Sequence, residues 1–326
     1  MKRRTFIASA VGSLAGVTGC TWPAGETLHH GAALAFGTTI TISVVHADAR
    51  RAARAIEDGL KAAQQIDRLM SIYHPDSQVY LLNRDGVLAH PDARLLAVLQ
   101  QAADLSRMTD GAFDVTVQPL WRLFSAAAER GALPGDAGRR RAQALVDWRQ
   151  LMFDPESVRL RRPGMAITLN GLAQGYAADQ ALAAVQAHGI RDALLDTGEF
   201  VARGQKSRNK PWILGVRDPR DANALAARLY AQGCSVATSG DYECSFTPDY
   251  RHHHIFDPSQ GDSPDELASV TVLAPTSLLA DGLSTAFMVM GWERSHALAA
   301  QLPAVDLMAI DKQGRERRSA GFPVDV

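Results

Sequence analysis

The chain has 326 residues and is almost electrically neutral, with 34 lysines and arginines against 35 aspartates and glutamates. A chain of this length can bury a substantial core, and no linker, repeat or low-complexity tract divides it. The neutral charge, without a basic stripe interleaved with aromatic residues, argues against nucleic acid as a partner. Three cysteines are too few for a disulfide scaffold. Cys234 and Cys244 could pair in an oxidising compartment or remain two buried thiols.

Residues 1–20 have the pattern of an export signal. Arg3 and Arg4 precede an uncharged, weakly apolar run, which is typical of a twin-arginine signal. The run is too short and too rich in small residues to favour a membrane span. Its end also matches a bacterial lipobox, in which Cys20 would be lipidated and would anchor the mature protein to a membrane. The sequence thus predicts a periplasmic protein with its functional domain over residues 21–326.

Helices and strands alternate along the rest of the chain. Apolar periodicity predicts helices over 48–70, 92–108, 172–188, 276–290 and 295–301. Strands are predicted at 39–45, 151–153, 158–161, 165–169, 192–196, 212–217, 234–238, 252–256 and 268–274. The stretch 109–150 is interpreted as rich in loops, and a hairpin is predicted across Asp311–Gly314. Mixed helices and mostly antiparallel strands in one continuous domain indicate an α+β fold.

A glycine turn joins a strand-like run to an alanine-rich helix within Ile167–Asp179. Such a turn directs free backbone N–H groups and the positive end of a helix dipole at whatever lies in front of it, commonly a phosphate. Gly171 and Gly175 would let a ligand approach the backbone, and Tyr176 could stack or hydrogen-bond. Many glycine-containing turns bind nothing, so this pattern alone leaves both interpretations open.

Asp281 and Thr285 lie four residues apart on an otherwise apolar predicted helix, so both project from one face. A carboxylate and a hydroxyl suit Mg²⁺, which prefers oxygen ligands completed by phosphate and water. The alternative is an aspartate that serves the helix N-terminus and a threonine that bonds back to its own turn. Zinc is disfavoured, because histidine and cysteine nowhere have ligand spacing.

Three consecutive histidines precede an Asp-Pro turn in His252–Pro258. Neighbouring side chains of a strand point to opposite sides, so the three cannot share one metal. The segment could be a solvated strand end, or His254 or Asp257 could act as the base, or its orienter, for a nucleophilic hydroxyl.

Polar loops at 70–83 and 109–119 would be ordinary turns by themselves. Together with other short blocks along the chain, they form a series that resembles the ApbE family of bacterial FAD:protein FMN transferases. The matching blocks are Phe36–Thr38, Met70–Tyr73 with Ser77 and Asn83, Gly111–Asp114, Leu169–Tyr176, Asp196–Glu199, Val236–Tyr242, His254–Pro258, and Ala274–Thr276 with Ala280–Thr285. The resemblance extends from about residue 34 to the C-terminus.

The resemblance implies a two-lobed, T-fold-like domain that splits FAD at its pyrophosphate, transfers FMN to a threonine of an acceptor flavoprotein and releases AMP. It implies that FAD is bound by Phe36, Tyr73, Ala112, Phe113, Asp114, Asn170, Tyr176 and Ile255. It also implies that Mg²⁺ is held by the Ala173 carbonyl, Asp281 and Thr285, and that His254 or Asp257 receives or orients the threonine proton.

Two positions depart from the family pattern. Phe36 stands where methionine is usual, and Gln174 stands where a lysine is usual, so Gln174 is expected to face the pyrophosphate with a neutral amide. The turn at 170–176 is similar to that of the periplasmic NosX-like branch, associated with nitrous-oxide reductase maturation, whose acceptor would be a membrane regulator of nitrous-oxide respiration. Two alternatives remain: an FAD pyrophosphatase, in which water replaces the threonine, and a flavin-binding carrier or chaperone without turnover.

Overall fold

The computed structural model of the protein describes residues 25–231 and 233–323. The predicted export signal, with Arg3, Arg4 and Cys20, lies outside these residues. Within them, no helix combines the length and the apolar character that crossing a membrane would need.

Seven α-helices and thirteen strands make up the described chain, with two short 3₁₀ turns. The helices are α1 (Ala49–Met70), α2 (Gln78–Asp85), α3 (Ala93–Met108), α4 (Gln118–Ala128), α5 (Asp136–Gln143), α6 (Ala173–Ala187) and α7 (Ser277–Ala299). The strands are β1 (Thr27–Ala35), β2 (Thr38–His46), β3 (Val87–Ala89), β4 (Leu151–Phe153), β5 (Ser157–Leu160), β6 (Asp192–Asp196), β7 (Phe200–Arg203), β8 (Trp212–Arg217), β9 (Leu225–Ala231), β10 (Ser235–Gly240), β11 (Leu267–Ala274), β12 (Asp306–Asp311) and β13 (Glu316–Arg318).

An antiparallel sheet of eight strands organises the molecule, in the order β1-β2-β6-β7-β10-β11-β12-β13. Helices α1, α6 and α7 contribute to the main core on one face, while the β8–β9 hairpin packs a second apolar cluster against the other face. Strand β11 is buried at every residue, because it lies within the sheet and is covered on both faces. The α+β prediction is therefore confirmed.

Helix α1 forms where capping and periodicity predict it. The Asp48 carboxylate accepts hydrogen bonds from the N–H groups of Arg50 and Arg51, which otherwise lack partners at a helix start. Its buried stripe faces the sheet and α6, and Gly59 allows the close approach, since a Cβ there would lie 2.7 Å from Ile42. The predicted helix over 92–108 is likewise capped, by Asp92.

The interpretation of 109–150 as rich in loops is wrong, because the segment contains α4 and α5. Pro119 occupies the first turn of α4, where the absent N–H costs nothing, so a residue typical of turns starts a helix here. Helix α5 is mostly polar and exposed, and it therefore lacks the apolar stripe that would announce it. Helix α2 and strands β1, β3, β7 and β9 were also not predicted.

Two predicted strands are absent from the structure at 165–169 and 252–256. The first segment is buried, but its backbone pairs with a side chain: Asn83 Oδ1 accepts from Ile167 N–H (2.7 Å), and Asn83 Nδ2 donates to the Ile167 carbonyl (2.8 Å). The second lies in the irregular excursion 241–266, where His253 N–H donates to the Ser263 hydroxyl. Alternating residues without a partner strand do not form a sheet.

The remaining predictions concern the C-terminal half. A break at Gly291, with φ of 73°, divides α7, close to the predicted gap between two helices. The predicted hairpin across Asp311–Gly314 joins β12 to β13. Cys234 and Cys244 are half-buried and are not joined in a disulfide, and burial raises the pKa of the Cys244 thiol.

Candidate active site

The start of α6 packs directly against the first turns of α7. The Gly175 N–H donates to Asp281 Oδ2 (2.9 Å) across this contact. A Cβ at Gly175 would overlap the Ser277 carbonyl, and one at Gly171 would lie 2.8 Å from Thr285 Oγ1. Both glycines therefore allow the close approach of α7, and the prediction that they also let a ligand approach the backbone stays a prediction.

Asp281 is not the residue that serves the N-terminus of α7. The Asp179 carboxylate accepts from the N–H groups of Ser277 and Leu278 (2.9 Å each), and Thr276 caps the same turn. Asp281 is only 4% exposed, and no lysine or arginine forms an ion pair with it in the part of the chain that the structure describes. Burial raises the pKa of Asp281 to about 7, and the charge of Asp179 adds to this effect.

The Thr285 hydroxyl turns away from its own helix. Its Oγ1 lies 3.2 Å from the Ser239 hydroxyl of β10, which also contacts Ser284 Oγ at 2.8 Å. Asp281 and Thr285 thus offer a carboxylate and a hydroxyl at the α6–α7 contact, and Ala173 begins α6 beside them. These are hard oxygen ligands of the kind that Mg²⁺ prefers. Among the described residues no group of three His, Cys, Asp or Glu side chains could hold a metal ion.

The turn between β6 and β7 is attached to α6 through Gln174. Gln174 Nε2 donates to the Thr197 carbonyl (2.8 Å), and Thr197 Oγ1 donates back to the Gln174 carbonyl (3.0 Å). The Gln174 amide lies across Gly198, where a Cβ would overlap it. The Gln174 amide is thus bonded to protein through one N–H, and the expectation that it faces a pyrophosphate stays a prediction.

Glu199 ends the Asp196–Glu199 block, but no role at the site was predicted for it from the sequence. It is 8% exposed, and its Oε2 accepts from the Thr238 N–H (3.2 Å). Burial raises the pKa of Glu199 well above its ordinary value, and neighbouring Asp281 adds to the shift. The available signals were its place in that block and its charge between a glycine turn and an apolar strand.

His254 and Asp257 differ in what their side chains do. His254 is half-buried, and its Nδ1 lies 3.3 Å from the Cys244 carbonyl, to which it can only donate. Burial lowers the pKa of His254, so the ring is neutral near pH 7 with its lone pair on Nε2. The Asp257 carboxylate instead accepts from Ser259 N–H (2.8 Å), Ser259 Oγ (2.6 Å) and Gln260 Nε2 (2.9 Å), and so closes its own turn.

A model of the ApbE family matches residues 36–309 of the chain. The chain belongs to the ApbE family. It is 31% identical over 331 residues to an FAD:protein FMN transferase of Treponema pallidum, an alignment that covers 95% of this chain and 91% of the relative. A second such relative, from Vibrio cholerae, is 30% identical and covers 96% of each chain. The solved ApbE protein of Thermotoga maritima superposes with a TM-score of 0.80 at 29% identity, over 90% of this chain and 97% of that one.

The loop expected from the ApbE resemblance to hold FAD, Ala112–Asp114, is tightly built. The Asp114 carboxylate accepts from the Thr116 N–H and hydroxyl (2.7 and 2.6 Å) and from the Trp148 N–H (2.9 Å). Burial raises the pKa of Asp114 to about 6, and Phe113 is also buried. Because these side chains are already used to hold the loop in shape, any contact between residues 112–114 and a flavin would come from the main chain.

The other side chains that the ApbE resemblance places at the flavin site differ in their exposure to solvent. Tyr73 is 53% exposed and packs edge-on against Trp121, with ring centroids 6.4 Å apart. Phe36 occupies the β1–β2 turn with φ of 54° and is half-buried, as is Tyr176 on α6. Asn170 is exposed and Ile255 is buried. An exposed ring such as Tyr73 is available to stack on a flavin or adenine.

Proposed function

We propose that this chain is an FAD:protein FMN transferase, which splits FAD at its pyrophosphate and attaches FMN through a phosphoester to a threonine of an acceptor protein. The observation that carries the proposal is the buried Asp281 without a cationic partner among the described residues, held by the Gly175 N–H beside Thr285. A carboxylate in this state suits a divalent cation, and relatives that span nearly the whole chain are named as FAD:protein FMN transferases.

Asp281, Thr285 and the Ala173 carbonyl would hold Mg²⁺, which when bound would neutralise phosphate charge. The Gly175 N–H fixes the orientation of the Asp281 carboxylate, and Asp179 fixes the helix that carries it. The same packing directs the positive end of the α6 dipole toward this region, which favours phosphate in front of it.

His254 is the better supported base for the acceptor threonine. The Cys244 carbonyl sets the tautomer, so Nε2 accepts the hydroxyl proton. The threonine oxygen then bonds to the phosphorus of the FMN half, and the bond from that phosphorus to the bridging oxygen breaks, so AMP leaves with the electron pair. The Asp257 carboxylate already accepts three hydrogen bonds, which leaves it less suited to the same task.

The test is incubation of the full chain with FAD, Mg²⁺ and a threonine-containing acceptor, followed by mass spectrometry of the acceptor and chromatography of nucleotides. We expect the acceptor to gain one FMN phosphoester while AMP appears in equal amount. Free FMN and AMP with an unmodified acceptor would indicate the pyrophosphatase instead. Bound but intact FAD would indicate a carrier.

The location and branch of the protein are part of the same proposal and rest on sequence. Arg3 and Arg4 support export to the periplasm by the twin-arginine route, and Cys20 supports a lipid anchor. The turn at 170–176 supports the NosX-like branch, with a membrane regulator of nitrous-oxide respiration as acceptor. Replacement of Arg3 and Arg4 by lysine should retain the protein in the cytoplasm, and Cys20→Ser should release it from membranes; normal fractionation of either variant would contradict the corresponding part.

A further inference from the structure

Glu199 is held at the α6–α7 contact through its own turn and through β10. Gln174 bonds the 196–199 turn to α6, one residue before the Gly175 N–H that binds Asp281. On β10, the Thr238 N–H binds Glu199. The next residue of β10, Ser239, contacts the Thr285 hydroxyl (3.2 Å). Four elements therefore bring Glu199, Asp281 and Thr285 to one place, although no short sequence pattern links them.

The charge around Glu199 is uncompensated by protein. No lysine or arginine forms an ion pair with Glu199 or Asp281 among the residues that the structure describes. The charged groups with the strongest influence on Glu199 are all acidic, namely Asp281, Asp196 and Glu243. Among the described residues the Glu199 carboxylate accepts one hydrogen bond, from the Thr238 N–H, which does not balance a negative charge beside a second buried carboxylate. A divalent cation would balance both.

We propose that Glu199 is the second carboxylate of the magnesium site. This inference rests on the proposed function, in which Asp281, Thr285 and the Ala173 carbonyl hold the ion. Mg²⁺ is commonly bound through one or two carboxylates together with phosphate and water. With Asp281 alone the loaded site would carry a net positive charge, whereas Glu199 makes it neutral. The consequence is that the site binds its metal before FAD arrives.

The test compares Glu199→Gln with Asp196→Asn, which removes a charge from the same turn but from a carboxylate that accepts from the Gly198 N–H. Mn²⁺ alone, without FAD, is titrated into each protein and followed by electron paramagnetic resonance. Glu199→Gln should weaken Mn²⁺ binding about tenfold or more, and Asp196→Asn, which removes only a neighbouring charge, should weaken it much less. Equal Mn²⁺ affinity of parent and Glu199→Gln would overturn the inference and leave the proposed function standing. A parent that binds no Mn²⁺ in the absence of FAD would also overturn the inference, because the protein carboxylates would then not be sufficient to hold the metal, whereas the proposed function is tested separately by the acceptor assay.

Thermal unfolding separates this role from a purely structural one. The amide of Glu199→Gln can still accept from the Thr238 N–H, while the repulsion between two buried carboxylates is removed. The variant should therefore unfold at a higher temperature than the parent in metal-free buffer and should gain less from added Mg²⁺. If the variant unfolds at a lower temperature by the same amount with and without Mg²⁺, Glu199 is a structural residue and the inference is wrong.

Discussion

Two buried aspartates, Asp241 and Asp281, have opposite surroundings. Asp241 is fully buried, and its carboxylate accepts from both arms of Arg220 (2.7 and 2.8 Å) and from Lys312 Nζ (2.6 Å). Asp281 is 4% exposed, and in the described part of the chain its carboxylate accepts from a single N–H, that of Gly175. Burial is the same, but only one charge is compensated by protein. The difference separates an aspartate that holds the fold together from one suited to bind a cation.

The compensated site explains how the excursion that carries His254 is held. Arg220 stacks on the Tyr250 ring at 4.4 Å, and Lys312 Nζ donates to the Tyr250 carbonyl (2.7 Å). The cations come from the connection between β8 and β9 and from the β12–β13 hairpin, so both clamp the excursion 241–266 to the sheet. The Asp241 cluster thus fixes the backbone that carries His254, and the Asp241 charge also opposes the effect of burial on the pKa of that ring.

The largest expected effect is the loss of transfer in Asp281→Asn. The amide oxygen can still accept from the Gly175 N–H, but the charged metal ligand is gone, so FMN transfer should fall about 10³-fold or more. Transfer is measured by the mass of the acceptor, and circular dichroism checks the fold. Full activity in this variant, or in parent protein with excess chelator, would contradict the assignment of Asp281 as a metal ligand.

The second effect is the loss of stability in Asp241→Asn. Removal of this charge leaves the Arg220 and Lys312 cations without their buried partner, which should lower the free energy of unfolding by about 3 kcal/mol. Urea unfolding of the metal-free protein measures it, with Asp281→Asn as the matched control that should lose no stability. Equal unfolding midpoints for the two variants would show that charge compensation does not distinguish the sites.

The third effect is a pH dependence that depends on Asp281. Because its pKa is about 7 when folded and lies at the ordinary value near 3.8 when unfolded, the folded state binds the proton more tightly. The metal-free parent should therefore lose about 2 kcal/mol of stability, relative to Asp281→Asn, as pH rises from about 5 to about 7. Urea unfolding at several pH values tests this, and added Mg²⁺ should abolish the difference. A parent and variant with parallel pH profiles would contradict it.

The smallest effect is expected for Thr285→Ala. A neutral hydroxyl ligand is more readily replaced by water than a carboxylate, so transfer should fall only about tenfold. Thr285→Ser, which keeps the hydroxyl near Ser239, is the control and should retain most activity. Saturation with Mg²⁺ should recover part of the loss. A loss as large as that of Asp281→Asn would mean that the hydroxyl, not the charge, dominates the site.

Local patterns were sufficient for several features of this protein. The caps Asp48 and Asp92 and the stripes behind them predicted α1 and α3, because capping and helical periodicity involve neighbours within a few residues. The spacing of Asp281 and Thr285 placed both on one helix face for the same reason. The order of the short blocks was enough to predict the family, which the family model confirms.

Contacts between distant parts of the chain were beyond such patterns. The bond from Gly175 to Asp281 spans 106 residues, and the bonds that replace a partner strand at Ile167 come from Asn83, 84 residues away. The packing of α7 on Gly171 and Gly175, and the bond from Gln174 to the Thr197 carbonyl, likewise join residues that are far apart in the sequence. The nearness of Glu199 to Asp281 depends on four elements meeting, because a side chain's charge environment is set by packing.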